Sequence, residues 1–265
     1  DLMIREDFHV HTPWCDGKDT AETIVRRALE LGMTRLGFSG HAHTPCDESY
    51  CMSAEKTAGY QREIESLRAG YADRITILCG VEQDLFSDLP AGSFDYAIGS
   101  THYLKFDDEY IPVDEKPQLL LDAAQKHCRG DFYALIERYY EEVAAVIEHT
   151  HADLIGHFDL ITKFNEGNKL FDEECPRYLD AAFAALDELL KTDRPFEINT
   201  GAISRGWRSR PYPALPILRR IAEKGGHVVL SSDSHRADTL CARFAEAEAL
   251  CESVGLRPEP FRVWG

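Results

Sequence analysis

The sequence of 265 residues is poor in several features that mark particular classes of protein. No apolar run approaches the roughly 18 residues that a membrane-spanning helix requires. The first ten residues, DLMIREDFHV, lack the basic-then-apolar layout of a signal peptide. Eight cysteines are present, but none forms a C-x-x-C pair. Reduced thiols are the simplest interpretation for such a chain, and we therefore expect a cytoplasmic protein that does not contact a membrane.

Basic residues are also scarce. The chain has 29 Lys and Arg against 46 Asp and Glu, which gives a formal net charge of −17. This balance argues against binding to long nucleic acids, because a phosphate backbone requires a cationic face. A small anionic substrate stays possible, since bound metal ions or a few arginines can reverse the local field. The oligomeric state does not follow from the composition.

Strand-like and helix-like segments alternate along the chain. The predicted strands are 5–10, 34–39, 75–82, 96–100, 153–157, 196–200 and 227–231, and the predicted helices are 20–31, 54–68, 117–127, 132–147, 179–190, 214–224 and 238–254. Such alternation predicts a parallel α/β sheet, either closed into a barrel or open and doubly wound. No G-x-G-x-x-G or P-loop motif is present, which disfavours the nucleotide-binding open sheets. No Pro-, Gly- or Ser-rich linker divides the chain, so we expect one domain over residues 1–265.

Histidine pairs raise the question of a metal site. Random placement of 11 histidines would give about 0.5 H-x-H pairs, so a single pair is weak evidence. The chain contains three such pairs: His9/His11, His41/His43 and His149/His151. The first closes a predicted strand, whereas the third flanks a helix end, where a cation suits the helix dipole.

Ionisable side chains follow most of the predicted strands. They are His9, His11, His41, Glu82, His102, His157, Asp233 and His235. In parallel barrels the carboxyl ends of the strands form one face, and that face carries the active site. Imidazole and carboxylate together bind zinc, manganese or iron. These donors are too many for one tetrahedral ion, so we infer two or three divalent ions with a carboxylate such as Glu82 bridging a pair. Clustered ions are typical of phosphate-ester hydrolysis.

Several of these segments resemble the successive motifs of one known family. FHVHTPWCDG, GFSGHAHTP, GVEQD, IGSTHYL, LIGHFDLITKF, EINTGAISR and SSDSHRAD are similar to the motifs of the polymerase-and-histidinol-phosphatase (PHP) superfamily. Within it, they most resemble the monofunctional histidinol-phosphate phosphatases, over about residues 7–240. The resemblance implies a distorted (β/α)7 barrel of the TIM type with a trinuclear metal site.

Carried over residue by residue, the resemblance implies three overlapping ligand sets. The first ion would be held by His9, His11, Glu82 and Asp233; the second by Glu82, His102 and His157, with Glu82 bridging; the third by Asp16, His41 and His235. The family has an acid before the histidine of the second motif, where this chain has Gly40, and a further His43 follows. Both His41 and His43 are therefore candidates for the third ion, and His41 is favoured.

The implied activity is metal-dependent hydrolysis of a small phosphomonoester by a metal-bound hydroxide. By resemblance the substrate is L-histidinol phosphate, which yields L-histidinol and phosphate in histidine biosynthesis. Alternatives on this scaffold are nucleotides, oligonucleotide ends or phosphotyrosine. A non-enzymatic metal-binding domain is disfavoured because the full inferred ligand set is retained.

Two basic residues are candidates for binding the phosphate group. Arg205 is favoured, because a guanidinium group suits bidentate binding of an oxyanion, and Lys163 is the second candidate. Asp16, His41 or His235 would supply or hold the proton of the leaving group. Arg208 and Arg210 are interpreted as surface residues of a loop.

Overall fold

A parallel sheet of seven strands forms the centre of the molecule. The computed structural model describes residues 5–88 and 93–263. In chain order the β-strands are β1 Glu6–Asp7, β2 Arg35–His41, β3 Thr76–Asp84, β4 Tyr96–Ser100, β5 Tyr103–Phe106, β6 Glu109–Pro112, β7 Leu154–Ile155, β8 Phe196–Asn199 and β9 Val228–Ser231. The order in the large sheet is β1-β2-β3-β4-β7-β8-β9, with every neighbouring pair parallel. Strands β5 and β6 form a separate antiparallel hairpin.

The sheet closes on itself where β1 meets β9. The His11 N–H donates to the Ser234 carbonyl at 2.8 Å, and the Ser234 N–H donates to the His9 carbonyl at 3.0 Å. Beside this seam the buried carboxylate of Asp7 accepts hydrogen bonds from the main-chain N–H and the hydroxyl of Ser232. The predicted distorted seven-stranded barrel is therefore confirmed, and an open sheet is excluded.

Helices cover the outside of the barrel. They are α1 Ala21–Glu30, α2 Ala54–Gly70, α3 Pro117–His127, α4 Phe132–Ala144, α5 Val146–Thr150, α6 Pro176–Leu190, α7 Gly201–Ser204, α8 Leu215–Glu223 and α9 Phe244–Ser253. Thr20, Ser53 and Asp131 begin α1, α2 and α4 as N-caps, each accepting a hydrogen bond from a main-chain N–H of the first turn. No helix among the described ranges is both long and apolar enough to cross a bilayer.

The interior of the barrel is filled on the side away from the strand carboxyl ends. The buried Tyr96 ring lies inside the sheet, and its hydroxyl donates to the carbonyls of Phe8 at 2.6 Å and Phe38 at 3.0 Å. A Cβ atom on Gly37 or Gly80 would lie within 2.4 Å of this tyrosine. Glycine at these two strand positions therefore makes room for the Tyr96 ring, which fills the barrel interior below the carboxyl ends of the strands.

Three predicted elements differ in the structure. Regular pairing in the first strand covers only Glu6–Asp7, because the chain then turns across the seam to pair with residues after β9. The predicted helix 132–147 is two helices, since the Ala145 N–H bonds to the Glu142 carbonyl in a tightened turn. The predicted helix 238–254 begins only at Phe244, because Arg243 has a left-handed backbone conformation with φ of 65°.

Neither the four-residue helix α7 nor the hairpin of β5 and β6 was predicted. The hairpin of β5 and β6 follows β4 directly and lies over the carboxyl ends of the strands, where Tyr103 and Pro112 line a cavity. Its outer part is fixed to α3, because the His127 ring stacks on Phe106 at 4.6 Å and donates to Glu109 at 2.9 Å. The hairpin therefore forms one wall above the candidate site.

Candidate metal centre

The nine side chains that the sequence singles out for metal binding lie together at one end of the barrel. Five of the histidines contact the carboxylate of Glu82, and all nine residues lie near or after the carboxyl end of one of six strands. They are His9, His11, Asp16, His41, Glu82, His102, His157, Asp233 and His235. The structure thus brings together every candidate, although the most distant are more than 200 positions apart in the sequence.

The innermost group lies across the barrel seam. His9 Nε2 is 3.1 Å from Glu82 Oε1 and 3.2 Å from Asp233 Oδ1. His11 Nε2 is 3.4 Å from the same glutamate oxygen and 3.2 Å from the same aspartate oxygen. Both imidazoles are fully buried. Four donor atoms therefore face a common point, as the first predicted ligand set requires.

The second group uses the other oxygen of Glu82. His157 Nε2 lies 3.3 Å and His102 Nε2 lies 3.5 Å from Glu82 Oε2. The Ser100 hydroxyl donates to this oxygen at 2.7 Å and fixes its orientation. Because the two oxygens of Glu82 face different sets of histidines, this carboxylate is placed to bridge two ions.

The third group is nearer to the solvent. Asp16 Oδ1 is 3.4 Å from His41 Nε2, and Asp16 Oδ2 is 3.3 Å from His235 Nε2. His41 is 8% exposed, whereas Asp16 is 34% and His235 is 25% exposed. His43 points away from the cluster and contacts Glu48 at 2.7 Å. The geometry therefore favours His41 over His43 as the donor of this group.

The facing atoms are spaced as the ligands of metal ions would be. Tetrahedral zinc, with bonds of about 2.0–2.2 Å, places neighbouring ligand atoms roughly 3.3 Å apart. The separations in the first two groups are 3.1–3.5 Å. Within the described residues, six buried atoms of the cluster lack a hydrogen-bond partner: His9 Nε2, His11 Nε2, Asp16 Oδ1, His41 Nδ1, Glu82 Oε1 and His157 Nδ1. Because buried polar atoms are nearly always paired, this donor set fits divalent cations.

The charges within the cluster compensate one another. Burial lowers the pKa of His9, but the carboxylates of Asp233, Glu197 and Glu82 outweigh it and raise the pKa well above its usual value. Burial likewise raises the pKa of Glu82, but the surrounding histidines hold it well below its usual range. Metal ions would have to displace the histidine protons, so metal affinity should fall as the pH is lowered.

The sequence analysis missed Glu197, a fully buried residue of β8. Its Oε2 accepts hydrogen bonds from His9 Nδ1 and from the Ser231 hydroxyl, and its Oε1 accepts from the His157 N–H at 2.8 Å and from Asn199 Nδ2 at 2.7 Å. A proton held on His9 Nδ1 leaves the lone pair on Nε2, the atom that faces Glu82. Such carboxylate–histidine contacts orient metal-binding imidazoles.

Asp84 and Asn199 support the cluster in the same way. Asp84 Oδ1 accepts from the main-chain N–H of His102 at 2.7 Å and from its Nδ1 at 3.1 Å. Asn199 Nδ2 donates to Asp233 Oδ2 at 3.2 Å, which leaves Oδ1 of that aspartate facing the histidines. Both residues are buried, and neither was predicted.

A cavity of about 410 Å³ opens above the cluster. Arg205 lies on its wall, and its guanidinium donates to the Asp233 carbonyl at 2.9 Å. Lys163 lies on the same wall and donates to the Asp114 carbonyl at 2.7 Å. Burial lowers the pKa of Lys163, the charge of Asp114 opposes this, and the charge of Arg205 adds to it. The two predicted phosphate-binding residues are therefore both placed beside the candidate metal centre.

Other predictions about basic residues have mixed outcomes. Arg208 is not a surface residue, because its side chain is only 12% exposed, contacts Glu173 at 3.0 Å and donates to the Thr162 carbonyl at 3.0 Å. Local sequence could not show these tertiary contacts. Arg210 is exposed, as predicted. His149 and His151 lie exposed at the end of α5, outside the cluster.

Comparison with known proteins agrees with this geometry. The PHP domain family model matches residues 7–201. A protein named "Probable histidinol-phosphatase" from Deinococcus radiodurans is 31% identical, over 97% of this chain and 96% of its own length. The histidinol-phosphatase of Bacillus subtilis is 25% identical, over 89% of this chain and 95% of its own length.

A solved structure shares the fold. Histidinol phosphate phosphatase from Lactococcus lactis, crystallised with zinc, L-histidinol and phosphate, superposes with a TM-score of 0.72 at 20% sequence identity. The alignment covers 99% of this chain and 98% of that chain. At this level of identity the likeness establishes the fold alone.

Proposed function

Because the chain belongs to the PHP domain family, we propose that it is a metal-dependent phosphatase whose substrate is L-histidinol phosphate. The observation that carries the proposal is the convergence of five histidine side chains on the two oxygens of Glu82. Support for the substrate comes from the relatives, which are named for this activity and match the chain over nearly its whole length.

The residues of the chain suit an attack on a phosphate ester. Two or three bound divalent ions would lower the pKa of water and offset the negative charge of the phosphate. Arg205 would bind phosphate oxygens through its guanidinium group, since its contact with the Asp233 carbonyl fixes it beside the centre. Lys163 would add a second positive charge on the same wall. Asp16, His41 or His235 would hold or supply the proton that the leaving alcohol requires.

The shape of the cavity supports a small substrate. The donor cluster lies at its base, with Glu82, His102, His157 and Asp233 all reaching the cavity surface. The hairpin β5–β6 forms one wall and limits the space above the cluster. A phosphomonoester of modest size fits a cavity of about 410 Å³, whereas a long nucleic acid would meet a strongly acidic protein.

A substrate panel tests the proposal. Protein loaded with manganese or zinc is offered L-histidinol phosphate, nucleoside monophosphates, short oligonucleotides and phosphotyrosine. We expect the highest kcat/KM with L-histidinol phosphate, and a higher value with any other member of the panel would refute the assignment. Elemental analysis of the gently purified protein should find at least two ions per chain, and fewer would contradict a multinuclear centre.

A further inference from the structure

On the basis of the proposed function, we propose that Trp207 and Asp114 form the subsite for the leaving group of the substrate. The indole ring would stack on a heteroaromatic ring, and the carboxylate would attract its positive charge. The substrate class is then a phosphomonoester whose alcohol carries a cationic ring or amine. In this proposal Trp207 and Asp114 determine specificity, whereas the chemistry takes place at the metal centre.

Trp207 has an unusual environment for a tryptophan. It is 45% exposed, yet it lies on the wall of the cavity that holds the metal centre. Its main-chain N–H donates to the Ala202 carbonyl at 2.9 Å, and the Phe164 ring packs perpendicular to the indole at 5.1 Å, which restrains the side chain. A rigid aromatic ring with open surface beside a reactive centre is suited to stacking on a ligand.

Charged groups of both signs line the cavity wall near this ring. Lys163 Nζ is 5.3 Å from the centre of the Trp207 ring and donates to the main-chain carbonyl of Asp114. The half-buried Asp114 carboxylate forms no hydrogen bond or close ion pair with any residue in 5–88 or 93–263, but its charge opposes the burial that lowers the pKa of Lys163. Glu115 lines the cavity next to it. A cationic group in contact with the Asp114 carboxylate would gain a favourable partner, which the nearby charge of Lys163 weakens.

The distance along the chain limits the size of the ligand. Arg205, the candidate phosphate-binding residue, and Trp207 are two positions apart, so their Cα atoms lie at most about 7 Å apart. Arg205 contacts Asp233 of the metal centre, and both residues line the same cavity. The cavity wall carries basic groups at Arg205 and Lys163 and acidic groups at Asp114 and Glu115. A phosphate and a cationic ring joined by a short carbon chain match this arrangement.

Kinetics of metal-loaded variants test the subsite. The kcat/KM for L-histidinol phosphate is compared with that for O-phosphoethanolamine, which has the amine but no ring, in the wild type and in Trp207→Phe and Trp207→Ala. We expect the ratio of the two values to fall about tenfold in Trp207→Ala, through KM, and much less in Trp207→Phe. Leu121→Ala is the control, because Leu121 is also an exposed apolar residue but lies on α3, and this variant should leave the ratio unchanged. An equal loss on both substrates in Trp207→Ala would show a purely structural role.

The acid is tested separately. Asp114→Asn should raise KM for L-histidinol phosphate and O-phosphoethanolamine, but not for glycerol phosphate, which has no positive charge. An equal KM increase on all three substrates, or none, would remove Asp114 from the subsite.

Binding without reaction separates this proposal from the proposed function. L-histidinol alone should change the tryptophan fluorescence of the wild type, and the change should be lost in Trp207→Phe, although Trp14 and Trp264 remain. The absence of any such change in the wild type would overturn the subsite. A wild type that binds L-histidinol through Trp207 but prefers another phosphomonoester would instead overturn only the proposed substrate.

Discussion

Replacing Glu197 by glutamine tests how the metal centre is oriented. All four partners of this carboxylate approach it as donors: His9 Nδ1 and the Ser231 hydroxyl at Oε2, and the His157 N–H and Asn199 Nδ2 at Oε1. A glutamine side chain has almost the same shape, but it offers one acceptor oxygen and one donor NH₂ group. Whichever way the amide points, its NH₂ group must face two groups that donate in the wild type.

The less costly orientation changes the proton position on His9. If the amide oxygen faces the His157 N–H, the NH₂ group faces His9 Nδ1 and Ser231. Nδ1 must then accept a hydrogen bond, so the proton of the neutral imidazole moves to Nε2, the atom that faces Glu82 and Asp233. A protonated Nε2 cannot ligate an ion. We therefore expect metal affinity and kcat/KM to fall about 10- to 100-fold, as is typical when such an outer partner is removed.

The assay measures metal affinity by competition with a chromogenic chelator, together with circular dichroism and kcat/KM. Glu142→Gln is the matched control, because Glu142 is also a buried glutamate but contacts Lys105 and Arg138 rather than any candidate ligand. Its metal affinity should equal that of the wild type. A folded Glu197→Gln protein with metal affinity and kcat/KM within twofold of the wild type would refute this account of Glu197.

Three further predictions follow from other contacts. Glu82→Ala removes the carboxylate that the first two ligand groups share, so activity should drop by about a thousandfold or more and the bound metal should decrease. The circular dichroism should stay unchanged, and a near-normal rate would exclude a bridging role for Glu82. Arg205→Lys keeps the charge but loses the two-pronged guanidinium, so kcat/KM should decrease by roughly tenfold, and wild-type kinetics would exclude bidentate phosphate binding. Burial raises the pKa of Glu142 from 4.5 to about 7. Between pH 4.5 and about 7 the folded chain therefore keeps the Glu142 proton, whereas the unfolded chain has released it. The stability that this protonated carboxyl contributes is complete below pH 4.5 and is lost as the pH rises through about 7. Glu142→Gln should accordingly reduce the loss of stability from pH 5 to 8, measured by urea unfolding, and an unchanged pH dependence would show that Glu142 ionises normally.

The candidate ligands could be predicted because their position depends on topology rather than on detailed packing. His9, Glu82, His157 and Asp233 all occur at or just past the end of a recognisable apolar strand, and parallel strands in a barrel direct their carboxyl ends to one face. The grouping of these residues into ligand sets came from family resemblance. His41 Nδ1 also lies 3.1 Å from Glu82 Oε1, so the separations allow more than one grouping and the ligand sets stay a prediction.

Other parts of the site depend on contacts that local sequence does not show. Glu197 lies between Phe196 and Ile198 in a strand buried on both faces, and a carboxylate there requires buried partners. That signal was present in the sequence, but it could not identify His9 as the partner. The hairpin β5–β6 was missed because its strands are only four residues long and its turn, Asp107–Asp108, lacks the glycine that usually marks a tight hairpin.

The seam between β1 and β9 has a consequence for the timing of assembly. Asp233 lies 222 positions after His11 in the sequence, so it leaves the ribosome later than both histidines. During that interval the emerging chain carries the two histidines without the aspartate that faces them in the finished barrel. The first ion's full set of donors exists only after β9 has docked against β1. A chain in which β9 has not yet formed would therefore lack one donor of the first ligand set.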